Sequence, residues 1–410
     1  MDAEEASTIG ARARKIRRRR GLSLDVAAGM AGISKPYLSQ LENGQRGFNR
    51  RGLIEHVAEA LGCSVADLTG QPYFPVDRET AAATAAISEV RVALHSATLD
   101  DVPDALARPV PELVQAVARA NMYRDNARYS MAGRELGELL VELHVWAVTG
   151  DGDDRQAALA ALVEACQVAY HLARLTGRAE LAMTAADRGY DAARRAERSD
   201  LAGVMAMNRS GGLMRLGARR RGESVCATAL SEVSALPGPT PDDTRDAEAR
   251  GMLLLTAGLW AARDGRAADT TEYLVEAADL AAHTGERNHL RFHFGPTNVA
   301  AWELGLAVES GTGPGAAERF VAAPIDLSAF ASKEREADIT FDLARAWAQA
   351  EGSRDGEALR ALDAADRLAP LRIRNDPIAR DLVLALDRRA KHRVWELDSL
   401  RNRFGVGAQR

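Results

Sequence analysis

Between Gly10 and Gly52 stand eleven lysines and arginines against two acids, Asp25 and Glu42, a surplus of nine positive charges on 43 residues. Such a concentration can hold a polyanion, because closely spaced cations gain by displacing its counterions. The whole 410-residue chain has a formal net charge of only −5, so a basic head is joined to an acidic body. A second set of polar groups lies far downstream: Arg291, His293 and Asn298, with Trp302 beside them, offer hydrogen bonds to an anion or a peptide carbonyl next to an aromatic wall. Asn208-Arg209, and Asn121 with Arg124, interrupt otherwise apolar helices in the same way.

No arrangement for bond chemistry accompanies these groups. The chain has no GxSxG, no GxxxxGK[ST] and no GxGxxG behind a strand. Gly311-Thr312-Gly313-Pro314-Gly315 reads as a turn between helices. His289 and His293 are four residues apart without the glutamate of HExxH, and Cys63, Cys166 and Cys226 stand alone without ligand spacing. The expectation is a protein that is not an enzyme and uses no cofactor and no metal.

Aromatic residues are 5% of the chain and alternating β-branched runs are missing, which predicts an all-α fold. No apolar run approaches the roughly 18 residues of a membrane span, and the start Met-Asp-Ala-Glu-Glu-Ala-Ser is no signal peptide; the expectation is a cytoplasmic, bacterial-type protein without membrane contact. Caps and periodicity divide the head into five short helices: 8–20; 24–30, capped by Ser23; 35–42, capped by Ser34 and ended by Asn43-Gly44; about 50–61, stopped by Gly62; and a short fifth capped by Ser64 and ending near Gly70. Gly70-Gln71-Pro72-Tyr73-Phe74-Pro75-Val76 then breaks helicity twice. This divides the chain into a head over 1–70, a linker over 71–78 and a body over 79–410.

Segment 23–44, Ser-Leu-Asp-Val-Ala-Ala-Gly-Met-Ala-Gly-Ile-Ser-Lys-Pro-Tyr-Leu-Ser-Gln-Leu-Glu-Asn-Gly, describes two helices meeting at a tight turn. Ala28 is small at the crossing, Gly32 can take the positive φ of the turn, and Val26, Ala27, Ile33, Leu38 and Leu41 are expected to face inward. Together with Arg-Arg-Arg-Arg-Gly-Leu-Ser at 17–23 and Ala-Glu-Ala-Leu-Gly-Cys-Ser at 58–64, the chain over 8–70 resembles the Cro/XRE helix-turn-helix family of phage-repressor type, whose fold is the five-helix lambda-repressor-like domain. The resemblance implies that helix 35–42 enters the major groove of a double-stranded DNA operator. Lys35, Pro36 and Gln40 match the base-reading positions, Lys35 donating to guanine O6/N7, Gln40 pairing with adenine N6/N7 and Pro36 giving apolar contact, as to a thymine methyl. Ser23, Ser34, Tyr37, Ser39, Asn43, Arg46 and Arg50 are assigned to the phosphate backbone, and Arg17 and Glu42 to a partly buried structural ion pair. Arg12, Arg14, Arg18, Arg19, Arg20 and Arg51 add attraction that weakens with salt. One such domain reads a handful of base pairs, so two half-sites and a homodimer are implied.

Beyond the linker, glycines at 177, 217, 265, 311 and 352 recur every 40 to 48 residues, the length of two helices and their turns. Further turns are expected at 149–152, 236–239 and 264–265. Leu259-Trp260-Ala261-Ala262-Arg263-Asp264-Gly265-Arg266-Ala267 with Tyr273 and Ala277, and Phe341-Asp342-Leu343-Ala344-Arg345-Ala346 with Gly352, Ala365 and Pro370, resemble tetratricopeptide repeats. The body therefore reads as a tetratricopeptide-like helical solenoid, with an alanine-rich non-repeat bundle as the alternative. A head of this type on such helices resembles peptide-sensing quorum receptors and, more closely, long actinobacterial XRE regulators, through Arg291-Phe-His-Phe-Gly-Pro-Thr-Asn-Val-Ala-Ala-Trp302 and Leu368-Ala-Pro-Leu-Arg-Ile-Arg-Asn-Asp-Pro377.

The helix expected near Thr297-Asn298, behind Gly295-Pro296, presents an N-terminus open to an anion or a carbonyl. Asn208, Arg291, Asn298 and Trp302 are the candidate ligand residues. The competing reading is that Thr297 caps, Phe292 and Phe294 pack in the core and Trp302 fills space between helix pairs. Three functions fit: a homodimeric transcription regulator whose operator affinity is set by a small-molecule or peptide effector, a DNA-tethered protein-interaction scaffold, and a helix-turn-helix used for protein contact alone.

Overall fold

The computed structural model describes residues 8–73, 77–236, 240, 243–323, 325–390, 392 and 394–406. Phe74, Pro75 and Val76 of the expected linker, and Pro237, Gly238 and Pro239 of an expected turn, lie outside the described residues. Among those described there are α-helices and one 3-10 turn, and no strand.

Five short helices open the chain: α1 (Ile9–Arg19), α2 (Leu24–Met30), α3 (Lys35–Glu42), α4 (Arg51–Leu61) and α5 (Val65–Thr69). Their starts are fixed locally, since the hydroxyls of Thr8, Ser23, Ser34 and Ser64 each accept an amide proton of the first turn, and Ser64 and Asp67 close a reciprocal capping box. Gly32 adopts φ +67 between α2 and α3, where a side chain would be strained. Ala27, Ala28, Leu38 and Leu41 are buried and Ile33 is half-buried against the same core. Val26 departs from the expectation. It is 50% exposed, with Met30 one turn on at 59%, because the stripe of α2 that meets α4 runs through Ala27, Ala28 and Ala31 and leaves Val26 off its edge.

The body continues with α6 (Arg78–Ser96), α7 (Val110–Asp125), α8 (Tyr129–Gly133), α9 (Leu136–Thr149), α10 (Gly152–Leu175), α11 (Ala179–Arg195), α12 (Ser199–Arg215), α13 (Arg219–Ser234), α14 (Arg245–Arg263), α15 (Ala267–Thr284), α16 (Pro296–Ser310), α17 (Gly313–Ala322), α18 (Lys333–Ala348), α19 (Asp355–Leu368), α20 (Pro370–Arg374), α21 (Pro377–Arg389) and α22 (Trp395–Phe404). Consecutive helices pair, as α10 with α11, α12 with α13, α14 with α15 and α18 with α19. The paired turns bend through left-handed residues, φ being +74 at Gly177 and +82 at Gly217.

The even-numbered helices α10, α12, α14, α16 and α18 pack successively into an inner layer, and α18 comes back to touch α7, which itself packs on α10. The contact is polar: the Arg124 guanidinium lies 3.5 Å from Glu334 and the Ser332 hydroxyl 3.5 Å from Asp125. The inner helices therefore curve round a central space. One continuous apolar cluster runs from Ile9, Leu38, Phe48 and Leu68 of the first five helices to Leu304, Phe341, Leu382 and Phe404 near the end of the chain.

Candidate functional site

The outward side of α3 is built for contact. Lys35 and Pro36 are exposed and Gln40 is half-buried on the same short helix, whose N-terminus is set by Ser34 with its hydroxyl accepting from the Tyr37 amide at 3.3 Å. Ser23 is exposed at the start of α2, accepting from the Val26 amide at 3.1 Å. Ser39 and Asn43 are linked to each other at 3.4 Å, and the Arg14 guanidinium donates to the Asn43 carbonyl oxygen at 3.1 Å. Behind this face Arg17 grips Glu42 through two bonds of 2.6 and 2.7 Å, and also donates to the Leu22 carbonyl at 2.9 Å. The expected ion pair is thus formed, and it fastens α1 to the end of α3.

The arginine run divides in two. Arg12 donates to the carbonyls of Leu68 and Thr69, and Arg20 to that of Leu61, so both hold helix ends. Lys15, Arg18 and Arg19 are exposed and bonded to nothing among the described residues.

Pro36, Tyr37, Gln40, Arg46 and Arg50 also line a cleft of about 720 Å³ whose opposite wall is the body, at Ser310, Gly311, Gln349 and Glu351. Arg46 crosses it to Glu351 at 2.8 Å while lying over the Tyr37 ring at 5.3 Å. The first five helices are seated on the body by buried polar contacts as well. Glu309 of α16 accepts from the Gly52 amide at 3.1 Å and so caps α4, which has no capping side chain of its own. Arg345 binds the same carboxylate at 2.5 Å and donates to the Asn49 carbonyl at 3.1 Å. Arg263 pairs with Glu55 at 2.9 Å, Arg51 with Asp376 at 2.7 Å, and Asp381 accepts from the Phe48 amide at 2.8 Å. Burial alone would push the Glu309 carboxyl up, but Arg345 and Arg263 outweigh it and hold it at about 2.

Inside the ring of helices lies a cavity of about 290 Å³. Asn208, Arg291, Asn298 and Trp302, which the sequence singled out, all line it, together with Arg124 and His293. Their amides are largely committed to the protein. Asn298 donates to the Phe292 carbonyl at 2.9 Å and accepts from Arg335 at 2.6 and 3.0 Å, and Arg291 lies 3.2 Å from Glu164. Arg291 and His293 have positive φ, +64 and +54, in the turn ahead of α16. Two expectations there are corrected. Thr297 is not the cap, since α16 begins at Pro296 behind Gly295, and the N-terminus is not open, since Glu286 accepts from the Thr297 amide at 2.9 Å. Phe294 is buried as expected, whereas Phe292 is half-buried and borders the cavity.

Asn121 is removed from the cavity lining: it is buried, with its amide on Glu164 at 3.0 Å. Arg209 lies outside it as well, over the Tyr190 ring and 2.7 Å from Asp187. Sequence reasoning missed His171, Arg174, Arg215, Glu334 and Arg335, all in the wall. Burial pushes the Glu334 carboxyl up to about 7, against the pull of Arg124. Burial, with other arginines close by, brings Arg215 down to about 10, and burial first and neighbouring arginines second hold His171 well below its ordinary value. Arg174, Arg215 and Arg263 each stand two or three residues ahead of a turn glycine, at 177, 217 and 265. That spacing was visible, but a cation at a helix C-terminus is ordinary dipole compensation and by itself marks nothing.

Residues 8–69 match a family described as a helix-turn-helix domain. The chain thus carries a helix-turn-helix domain followed by a large all-helical region, and the domain points to DNA binding and transcription regulation. No curated protein and no solved structure matches the chain. No helix among the described residues is long and apolar enough to cross a membrane.

Proposed function

We propose that the protein is a sequence-specific transcription regulator, bound as a homodimer to a palindromic operator, whose DNA affinity is set by a small molecule or peptide received in the helical body. The observation that carries the reading is the outward face of α3, where Lys35, Pro36 and Gln40 stand free of the core on a helix whose ends are pinned by Ser34 and by the Arg17–Glu42 pair. Lys35 and Gln40 supply the donors and acceptors that read guanine and adenine edges in the major groove, and Ser23, Ser34, Tyr37, Ser39, Asn43, Arg46 and Arg50 set the register on phosphates. Two half-sites are needed because one short helix covers few base pairs.

Control enters through the cleft. Tyr37, Gln40 and Arg46 face the body across it, and a duplex entering the major-groove side of α3 competes with Glu351 for Arg46. A ligand that changes how firmly α4 is seated on the body therefore changes the supply of DNA-ready heads, provided that it binds the two arrangements unequally. The tetratricopeptide-like reading of the body rests on its paired helices and spaced turns.

Selection of bound fragments from a random duplex library tests the reading. Enriched fragments are expected to carry an inverted repeat whose half-site centres lie about one helical turn apart or a multiple of it, and their affinity is expected to fall steeply with salt. Enrichment of no sequence would refute it.

A further inference from the structure

Arg51, Arg174, Arg215, Arg263 and Arg372 line the central cavity and also a second, smaller cavity of about 90 Å³ beneath Ile54, Glu55 and Thr69. These guanidinium groups form a septum between the interior of the body and the seat of α4. Three have carboxylate partners: Arg51 and Arg372 share Asp376, at 2.7 and 3.0 Å, and Arg263 holds Glu55. Arg174 and Arg215 have no carboxylate within 4 Å among the described residues. Arg215 makes one bond, to the Gly211 carbonyl of its own helix at 3.1 Å, and the Nε of Arg174 is shut off from solvent without any partner. Next to them both ring nitrogens of His171 are equally shielded and unpartnered.

Two half-buried guanidinium groups that line the same enclosed space without a carboxylate are costly unless a negative charge meets them. The acids that reach the septum are already taken, Asp376 by Arg51 and Arg372 and Glu55 by Arg263, and among the described residues none pairs with Arg174 or Arg215. The rest of the cavity wall mixes ion-paired groups, such as Arg345 with Glu309, with an apolar and aromatic surface made by Met207, Met252, Phe292 and Trp302. We propose that the septum is the binding site of a small organic anion, its carboxylate or phosphate held by Arg174 and Arg215 and its apolar part lying against Phe292 and Trp302. Planar guanidinium groups suit either oxyanion, each through paired N–H donors. The neutral His171 adds one donor and one acceptor for a further polar group of the ligand. The cavity's size, near the lower end of the roughly 300–1,000 Å³ usual for small-molecule sites, excludes a folded partner.

The consequence for regulation rests on the reading given above for the body. Arg51 belongs to α4, so an anion at the septum lessens the repulsion between the first five helices and the arginines beneath them. The docked arrangement is strengthened and operator affinity falls.

Full-length protein, at ionic strength held constant with chloride, is titrated with phenylphosphate, phenylacetate and neutral phenylacetamide, following tryptophan fluorescence and melting temperature. At least one of the two anions is expected to raise the melting temperature with a saturable fluorescence change, and the amide to do neither; which anion is preferred identifies the acidic group. Arg174→Gln and Arg215→Gln are expected to weaken binding about tenfold or more, losing a charge-assisted bidentate contact, and Arg209→Gln, outside the cavity, to leave it unchanged. Without ligand, Arg215→Met is expected to melt no lower than the wild type, because it removes an unpaired buried charge. The proposal is overturned if neither anion acts on the wild type, if the amide acts equally, if the Arg174 and Arg215 variants respond as the wild type does, or if unliganded Arg215→Met is clearly destabilised. If an anion binds as described and operator affinity does not move, the site stands and its regulatory role falls. If operator affinity responds to a neutral compound or a peptide while no anion binds, the anion site falls and the regulatory reading stands.

Discussion

Arg46 is claimed from two sides. It bonds Glu351 of the body at 2.8 Å, lies over Tyr37 of α3, and stands where a phosphate would be met in a DNA complex. Exposed ion pairs contribute only about 0.2–1 kcal/mol, so Glu351→Ala is expected to raise operator affinity by about 1.5- to 5-fold in anisotropy titrations; no change would mean that the body does not compete for this side chain. Glu334 gives a pH dependence. Its carboxyl is raised from 4.5 to about 7 by burial, so the stabilisation it contributes is complete below 4.5 and is lost as the pH rises through about 7. Relative to Glu334→Gln, the wild type is expected to lose stability over that interval, read as urea midpoints at each pH, and parallel profiles would contradict the assignment. At this scale the sequence was legible where chemistry is local. The serine caps follow from spacing and the Arg17–Glu42 pair from the helix-turn-helix resemblance, whereas Arg174 and Arg215 look like any helix-ending arginines until the fold withholds their partners.

Helix α4 is the element through which the two parts of the chain meet. Its N-terminus is capped by Glu309, more than two hundred residues downstream, and its Glu55, Arg51 and Glu59 are answered by Arg263, Asp376 and Arg219. Glu309→Ala leaves Arg345 buried without its closest carboxylate and frees the first turn of α4, at an expected cost of about 3–5 kcal/mol. Hydrogen exchange is expected to quicken at the Gly52 and Leu53 amides, and unchanged protection would show that the cap carries nothing. Helix α1 crosses α3 so closely that a Cβ on Gly10 would lie 2.0 Å from the Leu41 carbonyl oxygen. Gly10→Ala should therefore force the two helices apart, costing about 1–3 kcal/mol and shifting the melting temperature down. Element starts were readable because caps act within four residues. Val26 was misplaced because a seven-residue helix offers too few turns to define a stripe, and the open N-terminus expected near Asn298 is filled by Glu286, which sequence spacing does not reveal.

Across the whole molecule, the inner helices curve until α18 meets α7, a closure made by Ser332 and Asp125 across 207 positions of sequence. Periodicity along the chain foretold the paired helices but carries no information about such a return, and the central cavity exists only because of it. Hence Asn208, Arg291, Asn298 and Trp302 could be named as residues of interest, and their convergence on one cavity could be seen only in three dimensions. The first five helices form part of the same packed structure, joined by a shared apolar cluster, so that a change beside Arg51 can be felt at α3. All of this matters to function only if α3 reads DNA. Genome-wide footprinting with the purified wild type and with a Lys35→Ala/Gln40→Ala double variant tests that claim most directly. Discrete protected sites are expected for the wild type, and for the variant their loss with salt-dependent nonspecific binding retained; no discrete footprint from the wild type, or the same footprints from both proteins, would contradict a DNA-reading role for α3.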